Sequence, residues 1–199
     1  EWLFEARKQY GLKVLNYIVT SNQIHLLVLD GGGRHVIPDS IKLVAGSSAQ
    51  KYNRRKNRNG AFWEDKYHAT AIESDEHLIK CLIYIDMSMV RTGVVNHPGD
   101  WEFSGYNEIQ NPKQRYSIID YPALKNLLQF SDYNHLVKSY QSWVDDALKS
   151  NNLVRDNVQF SEYIGNAFTT ELEKAQLYSD EASLGIKIEI EKIGFGESV

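Results

Sequence analysis

Leu12-Lys13-Val14-Leu15-Asn16-Tyr17-Ile18-Val19-Thr20-Ser21-Asn22-Gln23-Ile24-His25-Leu26-Leu27-Val28-Leu29 reads as a β-hairpin. Leu12 to Asn16 and Tyr17 to Thr20 are rich in strand formers, Ser21-Asn22 interrupts them as a turn, and Gln23 to Leu29 resumes as a second strand. Alternate residues of a strand share a face, so Gln23 and His25 project from one side and Ile24 from the other. An imidazole beside an amide can hold a divalent cation through nitrogen and oxygen, and Mg²⁺ and Mn²⁺ accept such mixed sets. A lone strand histidine is more often a hydrogen-bonded core or surface residue, so the pair alone decides little.

Outward from the hairpin, Trp2 to Tyr10 reads as a helix that stops at Gly11, the usual residue just past a helix end. Gly31-Gly32-Gly33 forms an exit loop; no Gly-Lys-Ser/Thr follows it, so it is not a phosphate loop. Pro38 marks a helix start, and the helix runs from Asp39 to about Lys56 on apolar positions Ile41, Val44, Ala45 and Ala49. Asn57 to Gly60 break it. Ala61 to Glu73 read as a strand region, with aromatic Phe62, Trp63 and Tyr67. Ser74 or Asp75 can cap a helix from Glu76 to about Arg91, buried along Leu78, Leu82 and Ile85 and ended by Gly93. Asn96 to Tyr116 reads as a loop, Tyr121 to Ser150 as helical, and Phe160 to Lys174 as a further helix. The order α-β-β-α-β-α predicts an antiparallel sheet backed by helices, an α+β sandwich.

Composition agrees with a folded chain: 199 residues, 42% hydrophobic and 24% charged, which is globular rather than disordered. No apolar run approaches the roughly 20 residues of a membrane helix. The single Cys81 excludes an internal disulfide and a multi-cysteine zinc site, and conflicts with no reducing compartment. Net charge is −4, but its distribution is uneven. Lys51, Arg54, Arg55, Lys56 and Arg58 fall within eight positions, Lys42 and Lys66 flank them, and the acids concentrate after Asp132. The first two-thirds can therefore carry a basic face that phosphates would feel; a solvated helix end is the alternative.

Tyr84 and Ser88 stand four apart and share a helix face. Tyr84 interrupts the apolar run Leu82-Ile83-Tyr84-Ile85, either as a core tyrosine with its hydroxyl satisfied or as a placed phenol.

Four motifs, at residues 21–28, 62–68, 84–95 and 101–106, stand in an order that resembles the IS200-like single-tyrosine transposases of the HUH class, which include the REP-associated tyrosine transposases. Ser21-Asn22-Gln23-Ile24-His25-Leu26-Leu27-Val28 is similar to the family's S/P-N-H-x-H-L-L-V strand. Phe62-Trp63-Glu64-Asp65-Lys66-Tyr67-His68 is similar to its W-x-x-x-Y strand, and Tyr84-Ile85-Asp86-Met87-Ser88-Met89-Val90-Arg91-Thr92-Gly93-Val94-Val95 to its Y-I-x-x-N-x-V-R-A-G-L/V-V helix. Trp101-Glu102-Phe103-Ser104-Gly105-Tyr106 is similar to the W-x-x-S-x-Y that follows. Together they cover about residues 1–110. The resemblance implies an HUH-like sandwich in which Tyr84 attacks a phosphodiester of single-stranded or hairpin DNA. A 5′-phosphotyrosine link and a free 3′-hydroxyl would result, and a second 3′-hydroxyl could reseal the strand without a nucleotide cofactor. A phenol is a poor nucleophile near neutral pH. The implied Mg²⁺ or Mn²⁺, held by His25, Gln23 and Ser88, would polarise the phosphate. The implied DNA-binding residues are Lys42, Lys51, Arg54, Arg55, Lys56, Arg58, Lys66 and Arg91, with Trp63 and Tyr67 stacking on bases or packing in the core. Localisation would be cytoplasmic and nucleoid-associated, and the family's sheet-mediated homodimer is a further expectation.

The chain departs from the pattern where metal would bind. Gln23 replaces the family's first strand histidine, and Ser88 replaces the Asn or Gln four after the tyrosine. Losing such ligands weakens metal affinity, since even outer-shell changes cost roughly 10–100-fold. The strand that usually precedes the opening helix is not seen, which predicts an exposed sheet edge. The sequence therefore divides into a transposase-like domain over 1–116, lacking its first strand, and a mainly helical extension over 117–199. Three activities fit: an active transposase, a DNA-binding relative with impaired catalysis, and a protein-interaction module that keeps only the fold.

Overall fold

Gly11 closes the first helix in the left-handed conformation, φ 75°, with its N–H bonded to the Arg7 carbonyl at 3.0 Å. That helix, α1 (Trp2–Tyr10), opens a computed structural model of the chain that describes residues 1–31, 33–63, 67–72, 75–149, 162–163 and 185–191. Strands β1 (Lys13–Val19) and β2 (Gln23–Leu29) form the expected hairpin, with Ile18 opposite His25 and Tyr17 opposite Leu26. The Thr20 hydroxyl accepts from the Gln23 N–H at 3.0 Å and fixes the turn. A register shift between Val14 and Asn16 puts the Asn16 amide under the later helices.

Helix α2 (Val36–Lys56) begins before the expected Asp39. Pro38 lies in its first turn, where no intrahelical N–H bond is lost. Asn57 ends it with φ 48°. Ile37, Ser40, Ile41 and Val44 are its buried stripe. The predicted strand region over 61–73 contracts to β3 (His68–Ile72), and part of that region, together with Gly32, lies outside the described residues.

The predicted helix over 76–91 is divided. Helix α3 (Asp75–Asp86) is followed, after Met87 at φ −76° and ψ 0°, by α4 (Ser88–Arg91). The segment over 96–116, expected as a loop, contains a short 3₁₀ turn at Pro98–Asp100 and helix α5 (Gly105–Gln110). Pro98 begins the turn, and the His97 ring accepts the Gly99 N–H at 3.0 Å, which supplies the N-terminal cap. Helices α6 (Tyr121–Leu127) and α7 (Tyr133–Lys149) realise the helical stretch expected from Tyr121. Asp120 caps α6 by accepting the Ala123 N–H at 3.0 Å. Of the further helix predicted over 160–174, Glu162–Tyr163 is instead strand β4, and the rest lies outside the described residues.

The last strand, β5 (Gly185–Glu191), was not foreseen. It lies between β2 and β3, antiparallel to both, in a sheet ordered β1-β2-β5-β3-β4. Its sequence alternates isoleucine with charge, the period of a strand with two unlike faces. Register agrees with that alternation: Ile186, Ile188 and Ile190 pair with Val28, Leu26 and Ile24, while Lys187, Glu189 and Glu191 pair with Leu27, His25 and Gln23.

The β1–β2 hairpin is covered on both sides. Asn16 bonds to the Leu82 carbonyl, which fixes α3 over the face that carries His25. Ile24, Leu26 and Val28, of opposite pleat, are also buried and share one core with Leu3, Ile37, Ile41 and Val44. The outer edge of β1, a site for unwanted strand pairing if left open, meets chain from the C-terminal half. Val19 N–H donates to the Phe103 carbonyl at 2.9 Å, and Asp120 N–H donates to the Val14 carbonyl at 2.8 Å. No helix of the described residues is long and apolar enough to cross a membrane.

Candidate active site

Tyr84 and His25 meet between α3 and the sheet. Their ring centroids lie 6.4 Å apart with planes tilted by 49°. The hairpin register delivers His25 to this face, and the helical repeat of α3 delivers Tyr84, which is half-buried while its neighbours Ile83 and Ile85 are buried. His25 is itself 5% exposed. Gln23, two residues earlier on the strand, places its Oε1 3.2 Å from His25 Nε2, so the two side chains share a face as their spacing implies.

Arg91 completes the group from α4. Its guanidinium stands 4.0 Å from the centroid of the Tyr84 ring, and its Nη1 donates to the Tyr84 carbonyl at 2.7 Å. Seven positions are about two helical turns, so Arg91 returns to the side of the helix that carries Tyr84. The contact combines a cation on an aromatic face with a charge-assisted hydrogen bond. Ser88, the other expected member, is buried at the first position of α4.

Beneath this group is a buried polar network. Asn16 Nδ2 lies 2.9 Å from Asp86 Oδ1 and 3.1 Å from the Tyr140 hydroxyl, and that hydroxyl donates to Asp86 Oδ2 at 2.5 Å. Burial pushes the Asp86 carboxyl up to about 7, against the opposing effect of the hydrogen bonds from Tyr140 and Asn16. Burial likewise pushes the Tyr140 phenol well above its ordinary value, and the neighbouring Asp86 adds to that. Asp86 is thus committed to joining β1, α3 and α7 and is turned away from metal chemistry. Glu108 is a second buried acid with a structural role: its Oε1 accepts the N–H groups of Ile118 and Ile119 at 2.6 and 2.7 Å.

The expected DNA contacts divide by what already holds them. Lys42, Arg54, Arg55 and Lys56 are exposed along α2. Lys51 pairs with Glu1 and lies 5.9 Å from the Trp2 ring, so α1 already engages it. Arg55 and Arg58 both flank the Tyr52 ring, and Arg58 also donates to the Ala61 carbonyl at 3.0 Å. The Trp63 indole donates to the Ala45 carbonyl at 2.9 Å and packs edge-on against Phe62, a use that fastens the following chain to α2. Tyr67 is half-buried against the core. Lys66 lies outside the described residues.

His25, Gln23 and Ser88 are the side chains expected to hold a divalent metal. They offer one imidazole, one amide and one hydroxyl, with no anionic oxygen, whereas Mg²⁺ is ordinarily held by carboxylates and phosphates. Among the described residues, no three His, Cys, Asp or Glu side chains converge on a point. What the group can do without metal is orient a phenol, place one cation on its ring, and set a proton-exchanging imidazole beside it.

Residues 1–88 match the family model described as Transposase IS200 like. No curated protein and no solved structure matches the chain.

Proposed function

We propose that the chain, whose residues 1–88 match the IS200-like transposase family model, binds single-stranded or hairpin DNA and cleaves and rejoins it through Tyr84. The observation that carries this reading is the placement of Tyr84 against His25, with Arg91 over the phenol ring. Tyr84 Oη would form a bond to the phosphorus of a backbone phosphodiester as the bond from phosphorus to the 3′ oxygen breaks. The phenol proton leaves in that step and the departing 3′ oxygen takes one up. The His25 imidazole is the group beside the phenol that can exchange protons. Arg91 supplies positive charge where the phosphate would sit. Reversal by an incoming 3′-hydroxyl reseals the strand with no external energy source.

The family is generally metal-dependent. A bound divalent ion would supply polarisation of the phosphate. His25, Gln23 and Ser88 would hold it, with Gln23 and Ser88 weaker ligands than the residues the family carries at those positions. Exposed Lys42, Arg54, Arg55 and Lys56 lie on α2, which covers the face of the sheet opposite His25, and would offer charge to DNA backbone beyond the reacting phosphate.

The substitutions at Gln23 and Ser88 favour a second reading, a DNA-binding relative in which strand cleavage is lost. One experiment separates the two. The full chain is incubated with a hairpin-bearing single-stranded oligonucleotide and Mn²⁺, then run on a denaturing gel. A covalent protein–DNA species supports cleavage. Its absence from the native chain, together with its appearance in Gln23→His/Ser88→Asn, establishes the second reading and overturns the first.

A further inference from the structure

The chain between α4 and α5 closes against the end of the hairpin that carries Gln23. Val19 N–H donates to the Phe103 carbonyl at 2.9 Å, and the Trp101 indole N–H donates to the Val19 carbonyl at 3.0 Å. Val19 in turn pairs with Ile24, the residue between Gln23 and His25. The Phe103 backbone therefore lies two strand spacings, roughly 9.5 Å, from the strand that bears Gln23 and His25. Phe103 is 56% exposed, and its ring stands edge-on to Trp101, with centroids 6.1 Å apart and planes at 77°. The backbone beneath is fixed, since the Trp101 carbonyl accepts from the Ser104 hydroxyl at 3.0 Å and from the Asn107 amide at 3.1 Å. Among the described residues, Val94, Phe103 and Tyr116 are the exposed large apolar side chains. Tyr116 packs on Phe4, with 5.3 Å between centroids, whereas Val94 and Phe103 belong to the segment that leads from Arg91 to α5.

We propose that Phe103, backed by Trp101, is a stacking platform for an unpaired nucleobase beside the phosphate that Tyr84 attacks. The proposal rests on the reading of the chain as a DNA-binding protein, and it names the side chains that would tell unpaired DNA from duplex. In a duplex the faces of each base are covered by its neighbours. An unpaired base offers a face, and every base has one, so stacking selects strandedness rather than sequence. A lone exposed phenylalanine is ordinary at a protein surface. This one is set in advance: the ring beside it is tied to the edge of β1, and the backbone on both sides is hydrogen-bonded, so little freedom is lost when a base is stacked. The platform is uncharged and continues the candidate active site at the end of the hairpin. Arg91, on the preceding helix, supplies the cation, so base and phosphate would be met by different side chains.

The test compares two fluorescein-labelled DNA probes by anisotropy, at one fixed salt concentration, with the full chain. One is a hairpin oligonucleotide with an unpaired thymidine flank, and the other is the same hairpin with that flank paired to a complementary strand. The native chain is expected to bind the unpaired form more tightly. Phe103→Ala is expected to weaken binding of the unpaired form by about fivefold or more and to leave the paired form within about twofold. Phe103→Tyr, which keeps a planar ring, should retain native affinity, and Phe103→Leu, apolar but not planar, should behave as Phe103→Ala does. Circular dichroism melting of each variant confirms that the fold is retained. A change of less than about twofold on the unpaired form in both Phe103→Ala and Phe103→Leu overturns the proposal and leaves DNA binding standing. Equal weakening of both forms does the same. So does a change in sedimentation of Phe103→Ala with DNA affinity intact, which would assign the patch to a second copy of the chain. Failure of the native chain to bind either form overturns the DNA reading itself, and this platform with it.

Discussion

The Arg91 guanidinium lies 4.0 Å from the centre of the Tyr84 ring and also donates to the Tyr84 backbone carbonyl at 2.7 Å. One side chain thus fixes both the ring and the end of the helix that carries it. A cation over an aromatic face is worth roughly 0.5–2 kcal/mol, depending on how dry the contact is. Planar stacking suits guanidinium better than ammonium.

Arg91→Gln is therefore expected to lower the rate of covalent adduct formation by about tenfold or more, with little change in hairpin affinity. Arg91→Lys should recover part of the rate by restoring charge. Adduct time courses on denaturing gels, beside equilibrium binding by fluorescence anisotropy, separate the two effects. Equal loss of both would show that Arg91 merely holds DNA.

The buried Asp86 carboxyl gives a dependence on pH. Its folded value is raised to about 7 from an ordinary 3.8, first by desolvation. Between those values the folded chain holds a proton that the unfolded chain has released, so stability falls as pH rises through this window. The contribution reaches at most about 4 kcal/mol across the whole window. Urea unfolding at pH 4.5, 6 and 8 should show the native chain losing stability relative to Asp86→Asn as pH rises. A constant difference between the two would contradict the assignment.

Tyr140→Phe removes the hydroxyl that donates to Asp86. Leaving a buried acceptor without its donor costs about 1–3 kcal/mol. Thermal unfolding is expected to shift down by about 4–8 °C, and the pH dependence should steepen, because the ionised carboxylate loses a hydrogen bond. An unchanged melting temperature would show that the network carries no stability.

Exposed charge on α2 makes a different kind of forecast. Replacing Lys42, Arg54, Arg55 and Lys56 together with Gln should flatten the dependence of hairpin affinity on salt, by up to about 3 in the slope of log K against log salt. The fold should be unaffected, since all four side chains are exposed. An unchanged slope would place the DNA elsewhere on the surface.

The hairpin and first two helices were legible in the sequence because their signals are local: Gly11 as a helix stop, Ser21-Asn22 as a turn, and an apolar stripe along α2. The pairing of Gln23 with His25 followed from strand alternation alone. The union of Tyr84 with His25 came from the family resemblance, since no local rule joins residues 59 positions apart. Loss was greatest where long-range contacts decide structure. Glycine, proline and asparagine between 96 and 116 suggested a loop. The His97 ring capping the turn at Pro98 and the docking of α5 beside β1 override that composition. Asp86 gave no sign in sequence of its commitment to Asn16 and Tyr140, which requires knowing that α7 returns to α3. The alternation of residues 185–191 was readable as a strand pattern, but its place between β2 and β3 was not.

The central claim is that one phenol among the 12 tyrosines of this chain becomes joined to DNA. Its most direct measurement is mass spectrometry of the proteolysed adduct formed with hairpin oligonucleotide and metal. A phosphonucleotide on the peptide containing Tyr84, and none from Tyr84→Phe, is the result expected. Attachment at any other tyrosine, or an equal yield of adduct from Tyr84→Phe, would contradict it.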